Sequence, residues 1–400
     1  MWFILLAIGF ALLIATGLYA RRRITGALQS FGVASRTIRI VRWLIAWLLF
    51  GYPLLVFASI VTSRIRGQST LPRFDGLVAS WLLGFPFAWA LLVVLQSALW
   101  LLAIDLVYVV LRRRRGPGLL RARSIAVVVV IGAFAVYTPL RIIIERGDVR
   151  VRHHHLAVTR PTTAVPFRIA FIADVQQDDH TDGGRAREVY QLVNTSQSDV
   201  VLSGGDWINT GPDHVEAAAE AAETLRSRLG TFSVRGDHEH FAYIDRERSV
   251  AEIEQAMTRH GVAMLDNEVR WFEHHGKRIG VVFLNYNYIY RSGRRIVEEL
   301  ISSVAGADYS IVVTHQLDRT LAAQLENHVD LVLAAHTHGG QVNPVVGLVH
   351  VNLARLETTM VDGRYQLGTT TVIVTAGVGY SIIPIRYAAP GSIELIELTL

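Results

Sequence analysis

Four stretches of this chain are almost wholly apolar, at residues 2–20, 43–61, 82–111 and 125–144. Each reaches roughly the 20 residues that a helix needs to cross a bilayer. The pattern therefore predicts four transmembrane helices, with the first read as a retained anchor because Arg21, Arg22 and Arg23 follow it and no basic segment precedes it. Beyond residue 150 the rhythm changes to short apolar runs alternating with amphipathic ones. Strands are expected at 167–173, 200–203, 231–234, 310–314 and 331–334, with helices at 184–194, 217–229, 250–260 and 319–326. A hairpin is expected over 269–273 and 278–285, turning at His275-Gly276, and strands at 349–353, 371–375 and 392–398. Strand–helix alternation of this kind predicts an α/β layered domain. The expected organisation is a transmembrane region over 1–150 and an α/β domain over 151–400.

Two polar features interrupt the pattern. Asp105 falls inside the third apolar stretch, where an acid is a functional candidate by default. Its closeness to Arg112 favours snorkelling or pairing with an arginine. His153-His154-His155 suggests a metal site, but consecutive residues on an extended segment point to alternate faces. The triplet reads as a solvated linker following the last span.

Charge divides the chain at the same place. Of 400 residues 51% are hydrophobic and the net charge is +5. Residues 1–152 carry 19 basic and 4 acidic side chains, leaving 20 and 30 for the remainder. A basic, apolar part is thus joined to an acidic one. The arginines flank apolar runs instead of forming a patch, so no nucleic-acid partner is expected. The loops after the first and third stretches hold most of these arginines, and the positive-inside rule sets them in the cytoplasm. A multi-pass cell-membrane protein with the domain over 151–400 extracytoplasmic follows, although Arg141, Arg146, Arg150 and Arg152 weigh against that orientation. With no cysteine, disulfides, thiolate ligands and a cysteine nucleophile are excluded.

The chemistry lies at the strand ends. Five apolar runs finish in residues able to bind metal: Asp174 with Gln176, Asp206, Asp237-His238-Glu239, His315, and His336 with His338. A single Asp after a strand is an ordinary turn residue. Five such ends in succession, most with glycine beside them, make coincidence improbable. Carboxylates plus imidazoles without thiolate suit Mn, Fe or Zn, and a mixed shell of this size suits a dinuclear centre. Paired divalent ions serve in-line displacement at phosphorus.

The ordered motifs Asp174-Val175-Gln176, Gly205-Asp206, Gly236-Asp237-His238-Glu239, Thr314-His315 and His336-Thr337-His338-Gly339-Gly340-Gln341 resemble the calcineurin-like metallophosphoesterases, bacterial membrane-anchored branch. The segment Gly377-Val378-Gly379-Tyr380-Ser381-Ile382-Ile383-Pro384-Ile385-Arg386 extends the likeness. The resemblance implies a four-layer α/β/β/α sandwich and two divalent metal ions. It implies that Asp174, Gln176 and His338 hold the first metal, that Asp206 bridges, and that Asp237, His315 and His336 hold the second. It also implies that His238 is a non-ligand histidine protonating the leaving oxygen, with Glu239 orienting it.

Two positions depart from the family pattern, which has His where this chain has Gln176 and Asn where it has Asp237. A neutral amide oxygen is a weaker ligand than imidazole, and a carboxylate at 237 adds charge that attracts cations and repels phosphate. Asp178, Asp179 and His180 are possible substitute ligands, with solvent exposure the competing reading. The expected activity is metal-dependent hydrolysis of phosphomonoesters, phosphodiesters or pyrophosphates, on phosphorylated small molecules or on lipid-linked or envelope substrates. A catalytically impaired metal-binding module that keeps the fold is the alternative.

Overall fold

The computed structural model describes residues 2–66, 76–112, 118–157, 165–381 and 383–400. They form two compact units, one of Met1–Ile65, Leu77–Arg146 and Val342–Asn352, the other of Arg66–Gly76, Gly147–Gln341 and Leu353–Leu400.

The first unit is helical: α1 (Trp2–Ser30), α2 (Ser35–Ile65), α3 (Leu77–Ala79), α4 (Phe85–Leu111) and α5 (Gly118–Glu145), with a π-helical turn over Ser80–Gly84 joining α3 to α4. Among the described residues three segments, not four, are long and apolar enough to cross a membrane: Ser35–Ser63, Leu77–Leu111 and Gly118–Glu145. The expected first span includes residues 2–8 and 10, whose side chains lie outside the described ones. Its helix also runs on through Arg21, Arg22 and Arg23. Asp105 takes the pairing role: Arg23 and Arg123 each approach its carboxylate to 2.6 Å, and the Tyr19 hydroxyl donates to it at 2.6 Å.

The second unit is built on two sheets. Along the chain come β1 (Val149–Ala157), β2 (Phe167–Ile172), α6 (Gly183–Thr195), β3 (Val200–Ser203), α7 (Val215–Ala222), β4 (Thr231–Ser233), α8 (Arg246–Arg259) and β5 (Val262–Met264). Then follow β6 (Glu268–His274), β7 (Lys277–Leu284), α9 (Arg294–Ser303), β8 (Tyr309–Thr314), α10 (Arg319–Leu325) and β9 (Leu331–Ala334). A two-stranded ribbon of β10 (Val345–Val346) and β11 (Val349–His350), assigned to the first unit, precedes β12 (Gly363–Leu367), β13 (Thr370–Val374) and β14 (Gly391–Thr399). The sheet orders are β1-β14-β2-β3-β4-β5 and β12-β13-β9-β8-β7-β6.

Period-two alternation assigns every strand residue to a layer. Ile169 and Phe171 of β2 join Ile311 and Val313 of β8 and Leu331 and Leu333 of β9 in one core between the sheets. Ala170 and Ile172 face the opposite way and pack with Val189, Tyr190 and Val193 of α6 and Ile253 of α8. Val312, Val332 and Ala334 pack with Val297 of α9 and Leu321 of α10. The result is the expected α/β/β/α sandwich. Its strands β3, β8 and β9 are buried on both faces, which is why they read as continuous apolar runs.

Three expectations change. The His153–His155 segment is no linker: it lies in β1, paired in parallel along nine positions with β14. His154 turns inward to meet the buried Glu394 at 2.7 Å, while His153 and His155 face solvent. The helix expected over 217–229 ends at Ala222. Asn194 captures the chain beyond it, donating to the Thr224 oxygen at 2.9 Å and accepting from the Arg226 amide at 2.7 Å. The strand expected over 349–353 shrinks to Val349–His350, and a 3-10 turn follows over Leu353–Leu356.

Candidate metal centre

Loops at the carboxyl ends of β2, β3, β4, β8 and β9 carry the nine residues singled out above. Their backbone is unusual. Asp174, Gln176, Asp206, His336 and His338 all have positive φ, from 46° to 74°. Residues held in this region store strain that the surrounding structure must overcome. Close packing leaves no room for side chains beside them. A Cβ on Gly236 would lie 2.1 Å from Asp206 Oδ1, and one on Gly377 would lie 2.5 Å from the Asp174 Cβ.

Asp206 is fixed by its neighbours. The His238 amide donates to its Oδ1 at 2.8 Å, which turns Oδ2 inward. Glu239 was expected to orient the His238 ring, and here the structure corrects the sequence. Its carboxylate accepts instead from the amides of Gly236, Trp207 and Asp206, at 2.6, 2.7 and 3.0 Å. It thereby clamps the β4 loop to the β3 loop, and this buried acid sits above the usual carboxylate range because of burial and the nearby Asp206. The His238 ring takes its partner from the main chain, directing Nδ1 at the Asn209 oxygen. Its Nε2 lies 3.9 Å from Asp206 Oδ2.

Inside this frame Asp237, His315 and His336 converge. Asp237 Oδ2 lies 2.9 Å from His336 Nδ1 and 3.3 Å from His315 Nε2, and the two ring nitrogens are 3.2 Å apart. Those separations are the edges of a coordination shell with bonds of about 2.0–2.2 Å. Asp206 Oδ2, at 3.5 Å from His315 Nε2, offers a fourth ligand. Each histidine has an outer partner for its other nitrogen: His315 Nδ1 meets the Gly204 oxygen at 2.7 Å, and His336 Nε2 meets Glu357 at 3.5 Å. Such partners fix ring orientation in metal sites. The residues fit a divalent ion. A second convergent group, Asp174, Asp206 and His315, shares two of these ligands.

Electrostatics agree. Against the opposing effect of burial, hydrogen bonds from His315 and His336 hold Asp237 well below the carboxylate range. Against the same burial, Asp206 and Asp237 raise His315 well above an ordinary histidine, while Asp237 and Glu357 raise His336 to about 9. Burial alone dominates at Asp174, pushed up to about 7, and burial with Arg386 drives His338 far down.

The remaining expected ligands are arranged differently. Gln176 Nε2 lies 3.1 Å from both Asp206 Oδ2 and His338 Nε2. Asp178, weighed as a substitute ligand or an exposed residue, is neither. It is buried and accepts from the amides of His180 and Thr181 and from Asn209 Nδ2, all within 2.8 Å. Asp179 is exposed, and His180 is buried.

Three further residues were not singled out in the sequence. Glu357 receives Tyr288 and Gln316 as well as His336; although burial opposes it, His336 leads the contacts that lower its acid to about 2. Tyr288 sets its ring edge-on to His336, with centroids 4.8 Å apart. Arg386 is entirely buried, and its guanidinium donates to the carbonyls of His338, Ala376, Gly377, Gly379 and Ala389 at 2.9–3.3 Å.

A family profile for the calcineurin-like phosphoesterases matches residues 167–340, the stretch that holds every expected ligand. Residues 167–340 are a calcineurin-like phosphoesterase domain. The family is one of phosphoester hydrolases using divalent metal ions. An uncharacterized metallophosphoesterase of Helicobacter pylori is 30% identical over 216 residues, covering 52% of this chain and 54% of its own. A transmembrane protein with metallophosphoesterase domain from Bos taurus is 26% identical, covering 60% and 54%. The chain thus spans about half the length of these relatives. A putative 5'-nucleotidase of Staphylococcus aureus aligns at a TM-score of 0.37 and 12% identity, over 59% of this chain and 55% of that one, too low a score to weigh. Glu357 and Arg386 lie beyond the matched segment.

Proposed function

We propose that the protein is a membrane-anchored, metal-dependent phosphoesterase working at the Asp206–Asp237–His315–His336 centre. The observation that carries this reading is the triangle of Asp237, His315 and His336 at 2.9–3.3 Å, with the His238 ring beside it. A divalent ion held by these residues supplies a Lewis acid for a phosphoryl oxygen and acidifies a water. His238 is placed for proton transfer. With Nδ1 engaged by the Asn209 oxygen, its Nε2 faces the centre, where it can pass a proton to a leaving oxygen. Its ring is partly open to solvent, unlike that of His315.

The three long apolar helices support a membrane anchor and, with it, envelope or lipid-linked phosphomonoesters, phosphodiesters or pyrophosphates as substrates. The extracytoplasmic orientation rests on the arginine distribution described above. An impaired binding module remains the second reading, favoured by Gln176 and Asp237 themselves.

The test uses the full chain in detergent, loaded in turn with Mn2+, Fe2+ and Zn2+, on an aryl phosphate and a bis-aryl phosphate. Turnover that Asp206→Asn and His238→Ala sharply reduce is the expected result. Folded, metal-loaded protein that turns over neither substrate would establish the binding module instead.

A further inference from the structure

Asp174, Gln176, Asp206 and His338 mark out the position where the family resemblance implies a first metal. Asp174 and Asp206 still converge there with His315, but Gln176 and His338 do not complete a shell for a separate ion. The Gln176 amide stands between its two would-be neighbours, with Nε2 donating to Asp206 Oδ2 and to His338 Nε2 at 3.1 Å each. We infer that this chain holds a single divalent ion, at Asp206, Asp237, His315 and His336, and that the Gln176 amide takes the place of the other. The inference rests on the metal-dependent reading above and goes beyond it.

Three observations lead here. The first is the direction of the amide. Turned over, Gln176 would set Oε1 against the Asp206 carboxylate oxygen, which has no proton to offer, an arrangement only a cation between them would stabilise; the His338 ring nitrogen can serve either orientation through its tautomer. Oε1 is buried without a partner as it stands, but turning the amide would strand Nε2 in the same spot, so that orphan does not discriminate.

The second is the support behind each histidine. A metal-ligating histidine gives its remaining N–H to an oxygen that fixes the ring. His315 has the Gly204 oxygen and His336 has Glu357. His338 Nδ1 is buried and has no partner. Its ring is instead held through Nε2 by Gln176, which uses the very lone pair a metal would need.

The third is charge. Asp237 stands where the family pattern has a neutral amide, so two carboxylates, Asp206 and Asp237, each bring Oδ2 within 3.5 Å of His315 Nε2. Two carboxylates neutralise one divalent ion without help from a second. Gln176 and Asp237 thus act as a matched pair: one removes a ligand from the first position, and the other strengthens the second.

Metal content of the full-length protein, purified in detergent, saturated with Mn2+ and desalted, tests this directly. One equivalent per chain is expected, with the electron paramagnetic resonance spectrum of magnetically isolated Mn2+. Gln176→His should raise the content to two and produce the spectrum of a coupled pair. His338→Ala should leave one ion bound, whereas Asp237→Ala should release it. Two tightly held ions in the wild type would overturn the inference, as would a Gln176→His variant that still holds only one. No bound ion at all would overturn it together with the metal-dependent phosphoesterase reading. One ion with no hydrolysis of either aryl substrate would leave the stoichiometry standing and remove the enzymatic reading alone.

Discussion

The Nδ1 of His315 lies 2.7 Å from the main-chain oxygen of Gly204, so that nitrogen must carry a proton. Any second proton then resides on Nε2, between Asp206 and Asp237, which raise this histidine well above its ordinary value despite burial. His336 is raised likewise, to about 9. In the metal-free protein protons on these raised rings therefore compete with an incoming ion, which must displace them. Metal affinity is expected to climb from pH 6.5 to about 9 and to level off above it, with protons released on binding. Calorimetric titration in buffers of differing ionisation heat measures both quantities. An affinity indifferent to pH would mean that the rings are already neutral.

His238 lies outside the ligand set and touches Asp206 only at 3.9 Å through its ring. Removing the ring by His238→Ala should lower kcat by roughly 10²–10⁴-fold, the usual range for general acid–base catalysis. Bound metal should be unchanged. Loss of metal together with activity would reassign the residue as a ligand.

Glu357 acts on the centre through His336, which it approaches at 3.5 Å while also accepting from Tyr288 and Gln316. Glu357→Gln preserves the shape and removes the charge. A fall of about 10–100-fold in metal affinity is expected, as for other outer partners of metal-bound histidines. The Tyr288 hydroxyl, held above an ordinary phenol by burial and by Glu357, should titrate at lower pH in the variant. Ultraviolet difference titration follows the second effect, which a merely structural role for Glu357 would not produce at one tyrosine.

Arg386 is the largest liability if altered. Burial lowers its guanidinium to about 10, yet its charge remains and five carbonyl oxygens surround it. Arg386→Met fills much of the volume but abandons those acceptors in the interior. A loss of about 3–5 kcal/mol is expected. Thermal unfolding followed by intrinsic fluorescence should show a much lower midpoint, and a midpoint within a degree or two of wild type would contradict this account.

How far the sequence disclosed all this depended on burial. The strands β2, β3, β8 and β9 lie inside the sandwich, so their apolar runs were unmistakable and the ligands at their ends stood out. The edge strand β1 gave no such signal. Its polar residues face solvent on one side, and His154 has its partner Glu394 at a separation of 240 residues. Helix α7 looked longer than it is because the contacts that end it come from Asn194, on another helix. Within the centre, ligand identity was legible in the motifs, but the work of Glu239 was not: a carboxylate beside a histidine in sequence turned out to serve three amides. Glu357 follows a short 3-10 turn with no motif around it, and only the fold brings it to His336.

The left-handed backbone at Asp174, Gln176, Asp206, His336 and His338 bears on how such a protein can change. Glycine is the residue that relieves this conformation, typically by up to about 1 kcal/mol per position. A library of variants selected for thermal stability alone should therefore drift towards glycine at these five positions. Stability selection would erase the metal centre first, while the sheets beneath it stayed intact.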